Sequence, residues 1–136
     1  MTPAQRQLLD DFLIIENAQE RLAAVVDRAR RLPPLPAELR TETQRVAGCI
    51  SQVWLVLELR DGRGHFRCDA DGPLVKGLVA FLCAYHDGAT PAEIMSDETD
   101  PLAELDLLQN LSPTRRNGLA AVQATIRDFA ERHLDA

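Results

Sequence analysis

The sequence has no excess of basic residues: Lys and Arg total 15 against 21 Asp and Glu in 136 residues, a net charge of −6. Nucleic acids and anionic membrane surfaces attract clustered Lys and Arg, so this balance argues against either as the main partner. No run approaches the roughly 20 apolar residues of a membrane span, and the amino-terminal pattern is not that of a secretory signal. We therefore expect a cytoplasmic protein.

Cysteine and histidine are scarce, with three of each, and no cysteine belongs to a C-x-x-C unit. The histidines are scattered, so the spacing does not indicate a zinc cluster and we expect no metal site. In a reducing compartment an unpaired cysteine is either a small core residue or a chemically used thiol. Cys83 lies in an apolar run and Cys68 on the apolar face of a predicted strand, which predicts packing roles for both.

The sequence does contain several patterns that are typical of helix starts. The capping boxes T-P-A-Q at residues 2–5 and T-P-A-E at 90–93 each place a proline at the first helical position. Further helices are predicted before the prolines at 33–36, after Gly72 and after Ser112, with a brief helical turn within 101–108. Residues 33–45 are predicted to be an extended connector.

An antiparallel hairpin is predicted from two alternating segments, at about residues 52–60 and 64–70. If Gly62 and Arg63 form the loop, then Leu59 pairs with Phe66, Leu57 with Cys68 and Glu58 with Arg67. This register pairs apolar side chains with apolar ones and an acid with a base. Asp69 and Asp71 are predicted to be turn and cap residues. Helices around a small antiparallel sheet give an α+β fold, which we expect to be one domain over residues 1–136.

Cys49 is the strongest candidate for chemistry because it follows Gly48 at the entry to the long strand. A glycine there permits a bend that would present the thiol at a loop tip. No histidine is near in sequence to act as its base, so hydrolytic catalysis is poorly supported. A thiol that only receives and passes on sulfur needs accessibility more than a base. The alternative is a small residue at a tight strand entry.

Three blocks of sequence resemble one family. Residues 48–55 (GCISQVWL), 66–78 (FRCDADGPLVKGL) and 111–119 (LSPTRRNGL) resemble, in order and spacing, the signatures of the SufE family of sulfur acceptors. Cys68 departs from the family pattern, in which a small residue is usual at its position. The resemblance covers essentially the whole chain and implies an α+β fold similar to that of IscU-type scaffold proteins.

The resemblance also implies a function. Family members accept sulfur from a cysteine desulfurase of the SufS or CsdA type, hold it as a persulfide on the residue that corresponds to Cys49, and stimulate that enzyme. They pass the sulfur toward an iron–sulfur scaffold such as SufBCD. Pyridoxal phosphate is then expected only on the desulfurase, and no cofactor on this chain. The sequence leaves open whether the protein is a monomer or a homodimer.

Four residues are candidates to support Cys49. Gly48 would allow the bend, while Ser51 and Gln52 would shape the loop or bond the sulfur; the alternative is that both are ordinary polar residues at a strand entry. Arg115, near the start of the last helix, would favour sulfur anions, or else it forms a surface ion pair.

Two other functions remain open. The protein could activate the desulfurase by binding alone, without carrying sulfur, or it could be a scaffold that binds a nascent cluster. The scaffold function would need several convergent Cys or His ligands.

Overall fold

The structure is a computed structural model, and it describes residues 1–48 and 52–134. These ranges contain helices around a two-stranded antiparallel sheet, which confirms the predicted α+β class. The helices and strands are α1 (Pro3–Leu13), α2 (Ala18–Arg30), β1 (Val53–Arg60), β2 (Arg63–Ala70), α3 (Pro73–His86), α4 (Pro91–Ser96), α5 (Pro101–Glu104) and α6 (Pro113–Arg132).

Side-chain caps fix the helix starts as the sequence predicts. Thr2 and Thr90 each form a complete capping box with the residue three positions later, and Ser112 Oγ accepts a hydrogen bond from the Arg115 amide. These caps satisfy amide groups that have no partner inside the helix. The start of α3 differs, because its N-cap is Gly72 and no side chain caps it.

The segment between α2 and β1 is only partly extended. Two short 3₁₀ turns, Ala37–Leu39 and Glu42–Gln44, interrupt it, so the prediction of a wholly extended connector over 33–45 is wrong. The prolines do prevent α2 from continuing, and the backbone then turns where 3₁₀ hydrogen bonds can form, from Leu39 to Pro36 and from Gln44 to Thr41.

The hairpin forms, but its register differs from the predicted one. Asp61 and Gly62, rather than Gly62 and Arg63, are the loop residues, with φ angles of +53° and +77°. A tight two-residue turn of this kind needs two left-handed residues, and Asp-Gly supplies them at less strain than Gly-Arg.

The pairing consequently shifts by two positions. Leu57 lies opposite Phe66 and Leu55 opposite Cys68, whereas Leu57–Cys68 and Leu59–Phe66 were the predicted pairs. A shift of two keeps each side chain on its predicted face. Glu58 lies opposite His65 rather than Arg67, yet its carboxylate still pairs diagonally with the Arg67 guanidinium at 3.2 Å.

The central element is α3, which packs against β2 on one side and α2 on another. Nearly every apolar side chain of its second half is buried. Phe81 of α3 meets Phe12 of α1 edge to face at 5.5 Å, and Phe66 of β2 meets Phe129 of α6 at 5.7 Å between ring centroids. These contacts join both terminal helices to the sheet and α3.

Two close contacts fix the α2 position. A Cβ atom added to Gly77 of α3 would lie 2.8 Å from the Val26 Cα atom, so the two helices touch at their backbones there. The buried Arg21 guanidinium donates to the carbonyl oxygens of Phe12 (3.2 Å), Ile15 (2.6 Å) and Leu105 (2.7 Å). Arg21 thus ties the ends of α1 and α5 to α2.

Candidate functional site

The candidate site begins at the base of the loop that contains Cys49. The Val46 amide donates to the Val53 carbonyl at 2.8 Å, and Arg45 forms an isolated antiparallel bridge with Trp54. The described residues on either side of 49–51 are therefore held together where β1 begins, and we call the segment 47–52 between them the loop. Cys49 and Ser51, two of the predicted site residues, lie outside the described residues.

Gly48 is the last described residue before the undescribed stretch. It is exposed and has a φ of +89°, the left-handed region that glycine enters without strain. A Cβ atom at this position would lie 3.5 Å from the Ala121 Cβ atom of α6. The backbone bend that the sequence predicts at Gly48 is present, and it lies against the last helix.

Gln52 is the first described residue after the stretch, and its backbone is held by Asp71. The Gln52 amide donates to Asp71 Oδ2 at 3.2 Å, and its carbonyl accepts from the Asp71 amide at 3.1 Å. Asp71 does not cap α3, so that prediction is wrong; its carboxylate anchors the loop instead. The observed register, which extends the Val53–Ala70 pair to Gln52 and Asp71, would have indicated this contact.

An apolar cleft of about 210 Å³ opens where β1, α3 and α6 meet, and we call it the α3–α6 cleft. Apolar side chains dominate its wall, with hydroxyl groups and one cation from the start of α6. Its lining residues are Val53, Val75, Leu78, Val79, Ser112, Thr114, Arg115, Gly118, Leu119 and Val122. The cleft thus joins the carboxyl end of the loop, at Val53, to the amino-terminal turn of α6.

Arg115 lies in that first turn and is exposed. It lines both the α3–α6 cleft and a second cleft of about 400 Å³ toward α2. The first turn of α6 contains no acidic residue, so the partial positive charge of the helix end adds to the guanidinium. Within residues 1–48 and 52–134 no carboxylate forms an ion pair with Arg115.

The structure brings together part of the predicted site. Gly48 contacts α6 at Ala121, which follows Arg115 by six residues, or about 9 Å of helical rise. Gln52 is separated from the cleft only by the adjoining Val53. The arrangement offers an apolar wall and a nearby cation beside the loop, which suits a group that is partly apolar and partly anionic.

The chain matches a protein-family model over most of its length. The model described as SufE, Fe-S metabolism associated domain, matches residues 6–130. The match includes the loop, the hairpin, α3 and most of α6. No helix in the described ranges is both long enough and apolar enough to cross a membrane.

Two curated relatives and one solved structure are similar along nearly the full length. An uncharacterized SufE-like protein of Rhizobium etli is 35% identical over 130 residues, which cover 92% of this chain and 88% of the relative. One of Rhizobium meliloti is 34% identical over 135 residues and 96% of each chain. The solution structure of a hypothetical protein from Thermus thermophilus matches with a TM-score of 0.78 at 20% identity, over 98% of both chains.

Proposed function

Because the chain belongs to the SufE family, whose domain is associated with iron–sulfur metabolism, we propose that it is a sulfur acceptor for a cysteine desulfurase. Cys49 takes up the sulfur as a persulfide, and the protein passes it on for iron–sulfur cluster assembly. The observation that carries the proposal is that the bond from Val46 to Val53 holds the ends of the loop together beside the α3–α6 cleft, with Arg115 on the cleft wall.

The transfer needs no oxidant and no cofactor on this chain. The Cys49 thiolate attacks the outer sulfur of a persulfide on the desulfurase; a new S–S bond forms while the donor's S–S bond breaks. The donor cysteine leaves as a thiolate, which takes up a proton. A thiol on the next acceptor then attacks the outer sulfur on Cys49, and the same exchange releases Cys49.

The surroundings of the loop suit both states of such a carrier. A cation at Arg115 and the adjacent helix end favour a thiolate before transfer and a persulfide anion after it. The apolar wall of Val75, Leu78 and Val79 can cover the outer sulfur from water and from small thiols that would remove it. The residues on both sides of the undescribed stretch, Gly48 and Gln52, are exposed, which leaves a path for a partner to approach.

Stimulation of the desulfurase follows from the same chemistry. A desulfurase that holds a persulfide cannot turn over again until that sulfur is removed, so an acceptor that removes it raises turnover. The partners we propose are a desulfurase of the SufS or CsdA type, which carries the pyridoxal phosphate, and a scaffold of the SufBCD type. We place the reaction in the cytoplasm.

The decisive experiment is mass spectrometry of the full chain after incubation with a desulfurase and cysteine. The proposal predicts a gain of one sulfur atom on the tryptic peptide 46–60, which contains Cys49 and no other cysteine. Cys49→Ser should abolish the gain, whereas the control Cys68→Ala should retain it. Added sulfur on peptide 68–76 or 77–115 instead would contradict the proposal.

The same variant separates sulfur transfer from activation by binding alone. If Cys49→Ser still stimulates the desulfurase as the wild type does, the protein acts by changing the conformation of its partner, and the carrier proposal fails. Loss of stimulation together with retained binding, measured by calorimetry, supports the carrier.

A further inference from the structure

Two cysteines that the proposed function does not use lie side by side. Cys68 is on β2 opposite Leu55, and Cys83 is on α3, which packs on that face of the sheet. Hydrogen bonding to Cys68 is the largest cause of the raised pKa of Cys83, with burial second. Both cysteines also line one cleft, so their side chains are neighbours although 15 positions separate them in the sequence.

The pair lies at a cleft of about 420 Å³, which we call the thiol cleft. The half-buried Cys68 is reachable from it, while Cys83, only 4% exposed, lies behind. The exposed segment that follows α2, with Leu32, Pro33 and Pro34, forms another wall. One accessible thiol with a second thiol buried beside it is an arrangement suited to disulfide formation in two steps.

We propose that Cys68 and Cys83 form a reversible dithiol–disulfide site, oxidised through the thiol cleft by a low-molecular-weight disulfide. The site is separate from Cys49 and does not depend on sulfur transfer. In a reducing compartment such a disulfide is transient, which is the behaviour of a redox-responsive modification rather than of a structural cross-link.

The chemistry balances with the small disulfide as the oxidant. The Cys68 thiolate attacks it, forms a mixed disulfide and releases one small thiol. Cys83 then loses its proton and attacks the Cys68 sulfur, which releases the second small thiol and leaves the Cys68–Cys83 bond. Two protein thiols have been oxidised and one disulfide reduced to two thiols.

Formation of the mixed disulfide on Cys68 makes the attack by Cys83 easier. Hydrogen bonding to Cys68 is the first of the causes that raise the pKa of Cys83, with burial second, and this hydrogen bonding changes once the Cys68 sulfur belongs to a mixed disulfide. Arg28 lowers the pKa of Cys83, which favours its thiolate, while Asp87 acts in the opposite direction. Both residues line the same cleft, so the approach of α3 and β2 that forms a bond of about 2.05 Å takes place there.

Charge at the cleft indicates which small disulfide fits. Arg28 and Arg67 line it against the single carboxylate of Asp87. Arg67 is also paired with Glu58 at 3.2 Å, so Arg28 is the main cation that favours a disulfide with carboxylates, such as glutathione disulfide, over an uncharged one. Among residues 1–48 and 52–134 no group of three His, Cys, Asp or Glu side chains could hold a metal, so the described donors favour sulfur exchange over metal binding at this pair.

The test uses the full-length wild-type protein, reduced and then equilibrated with glutathione disulfide. After free thiols are blocked by alkylation, trypsin separates the three cysteines into peptides 46–60, 68–76 and 77–115. We expect peptides 68–76 and 77–115 to be joined, with a mass lower by two hydrogens than the sum. A stable mixed disulfide on Cys68, or alkylation of both Cys68 and Cys83, would overturn the proposal.

Two variants test the role of each cysteine, and thermal denaturation tests whether the cross-link forms. Cys83→Ala should stop at the mixed disulfide on Cys68, whereas Cys68→Ala should leave the buried Cys83 reduced. In the wild type the new cross-link closes a short loop and should raise Tm by on the order of 5 °C, reversibly with a reductant. A wild-type Tm unchanged by oxidation, or raised equally in Cys68→Ala, would contradict the assignment.

Discussion

Tyr85 donates a 2.6 Å hydrogen bond to the carboxylate of Asp97, and both side chains are buried. The bond joins α3 to the residue that follows α4. Burial acts to raise the pKa of the Asp97 carboxyl, but hydrogen bonds from Tyr85 and Thr99 outweigh it and hold the pKa below its ordinary value. Burial, together with the bond to this anion, raises the pKa of Tyr85 strongly.

Tyr85→Phe is therefore expected to destabilise the protein by about 1.5–3 kcal/mol, because it removes a charge-assisted bond and leaves a buried carboxylate short of a donor. Chemical denaturation at pH 7 measures the loss. Asp97→Asn keeps one acceptor oxygen for the two donors Tyr85 and Thr99, so it should also lose stability. Equal stabilities of Tyr85→Phe and the wild type would show that the bond contributes nothing net.

His86, the neighbour of Tyr85, makes the structure sensitive to acid. It is buried, its Nδ1 atom has no hydrogen-bond partner in the described structure, and burial lowers its pKa from 6.5 to about 4. Below pH 6.5 the unfolded chain binds a proton that the folded one does not, so stability falls as the pH falls toward 4. The loss by pH 4 is on the order of 3 kcal/mol.

Denaturation curves between pH 7 and pH 4.5 test this expectation. His86→Gln, which cannot titrate, should show a flatter slope over that range. The comparison isolates the histidine, since carboxylates with lowered pKa values, Glu93 and Asp97, act mainly below pH 4.5 in both proteins. Parallel slopes would mean that His86 binds its proton in the folded state as readily as in the unfolded one.

Gly77 allows α2 and α3 to touch. In Gly77→Ala the new Cβ atom would lie 2.8 Å from the Val26 Cα atom, a backbone atom that cannot rotate away. Alanine favours a helix by about 1 kcal/mol over glycine, but separating two packed helices costs about 1–3 kcal/mol. We expect a net loss in the free energy of unfolding.

Gly72→Ala is the matched control for Gly77→Ala, because a Cβ atom there meets nothing within 4 Å and φ is −114°. Its change should stay below about 1 kcal/mol. If thermal denaturation ranks the two variants the other way, the helices can separate without loss and the close contact is unimportant.

Arg115 is predicted to assist sulfur uptake through its charge. Arg115→Gln should slow persulfide formation on Cys49 by up to about tenfold near pH 7, equivalent to a shift of one unit in the thiol pKa. Arg115→Lys should recover most of the rate. The deficit should shrink above pH 9, where the thiolate forms without help; single-turnover assays across pH measure this.

Arg30→Gln provides the control for Arg115, since Arg30 is an exposed arginine at the end of α2 that lines neither cleft next to the loop. It should transfer sulfur at the wild-type rate. An Arg115→Gln deficit of constant size at every pH would point to lost contact with the partner, not to an effect on the thiol.

Local patterns in the sequence were enough to predict the helices and the two faces of the hairpin. Capping boxes at Thr2 and Thr90 act within four residues, so their effect can be read without the rest of the chain. The hairpin register required a choice between two adjacent turns, and charge pairing of Glu58 with Arg67 favoured the wrong one. The pair forms in either register because long side chains reach diagonally.

Contacts between elements could not be predicted in this way. That Cys68 and Cys83 share a cleft depends on how α3 is rotated over the sheet, and that Arg115 shares a cleft with Val53 depends on where α6 lies relative to β1. Both are set by the packing of many side chains at once. The thiol that the sequence singles out, Cys49, lies outside the described residues, and its role stays a prediction.

The hydrogen bonds of Arg21 have a consequence for the order in which parts of the protein unfold. Arg21 donates to the backbone carbonyl oxygens of Phe12, Ile15, Glu16 and Leu105, and mild acid protonates none of these four acceptors. The region of His86 weakens in acid. Mild acid should therefore loosen the carboxyl end of α3 and α4 before the contacts that Arg21 makes between α1, α2 and α5, an ordering that hydrogen exchange at pH 5 would reveal.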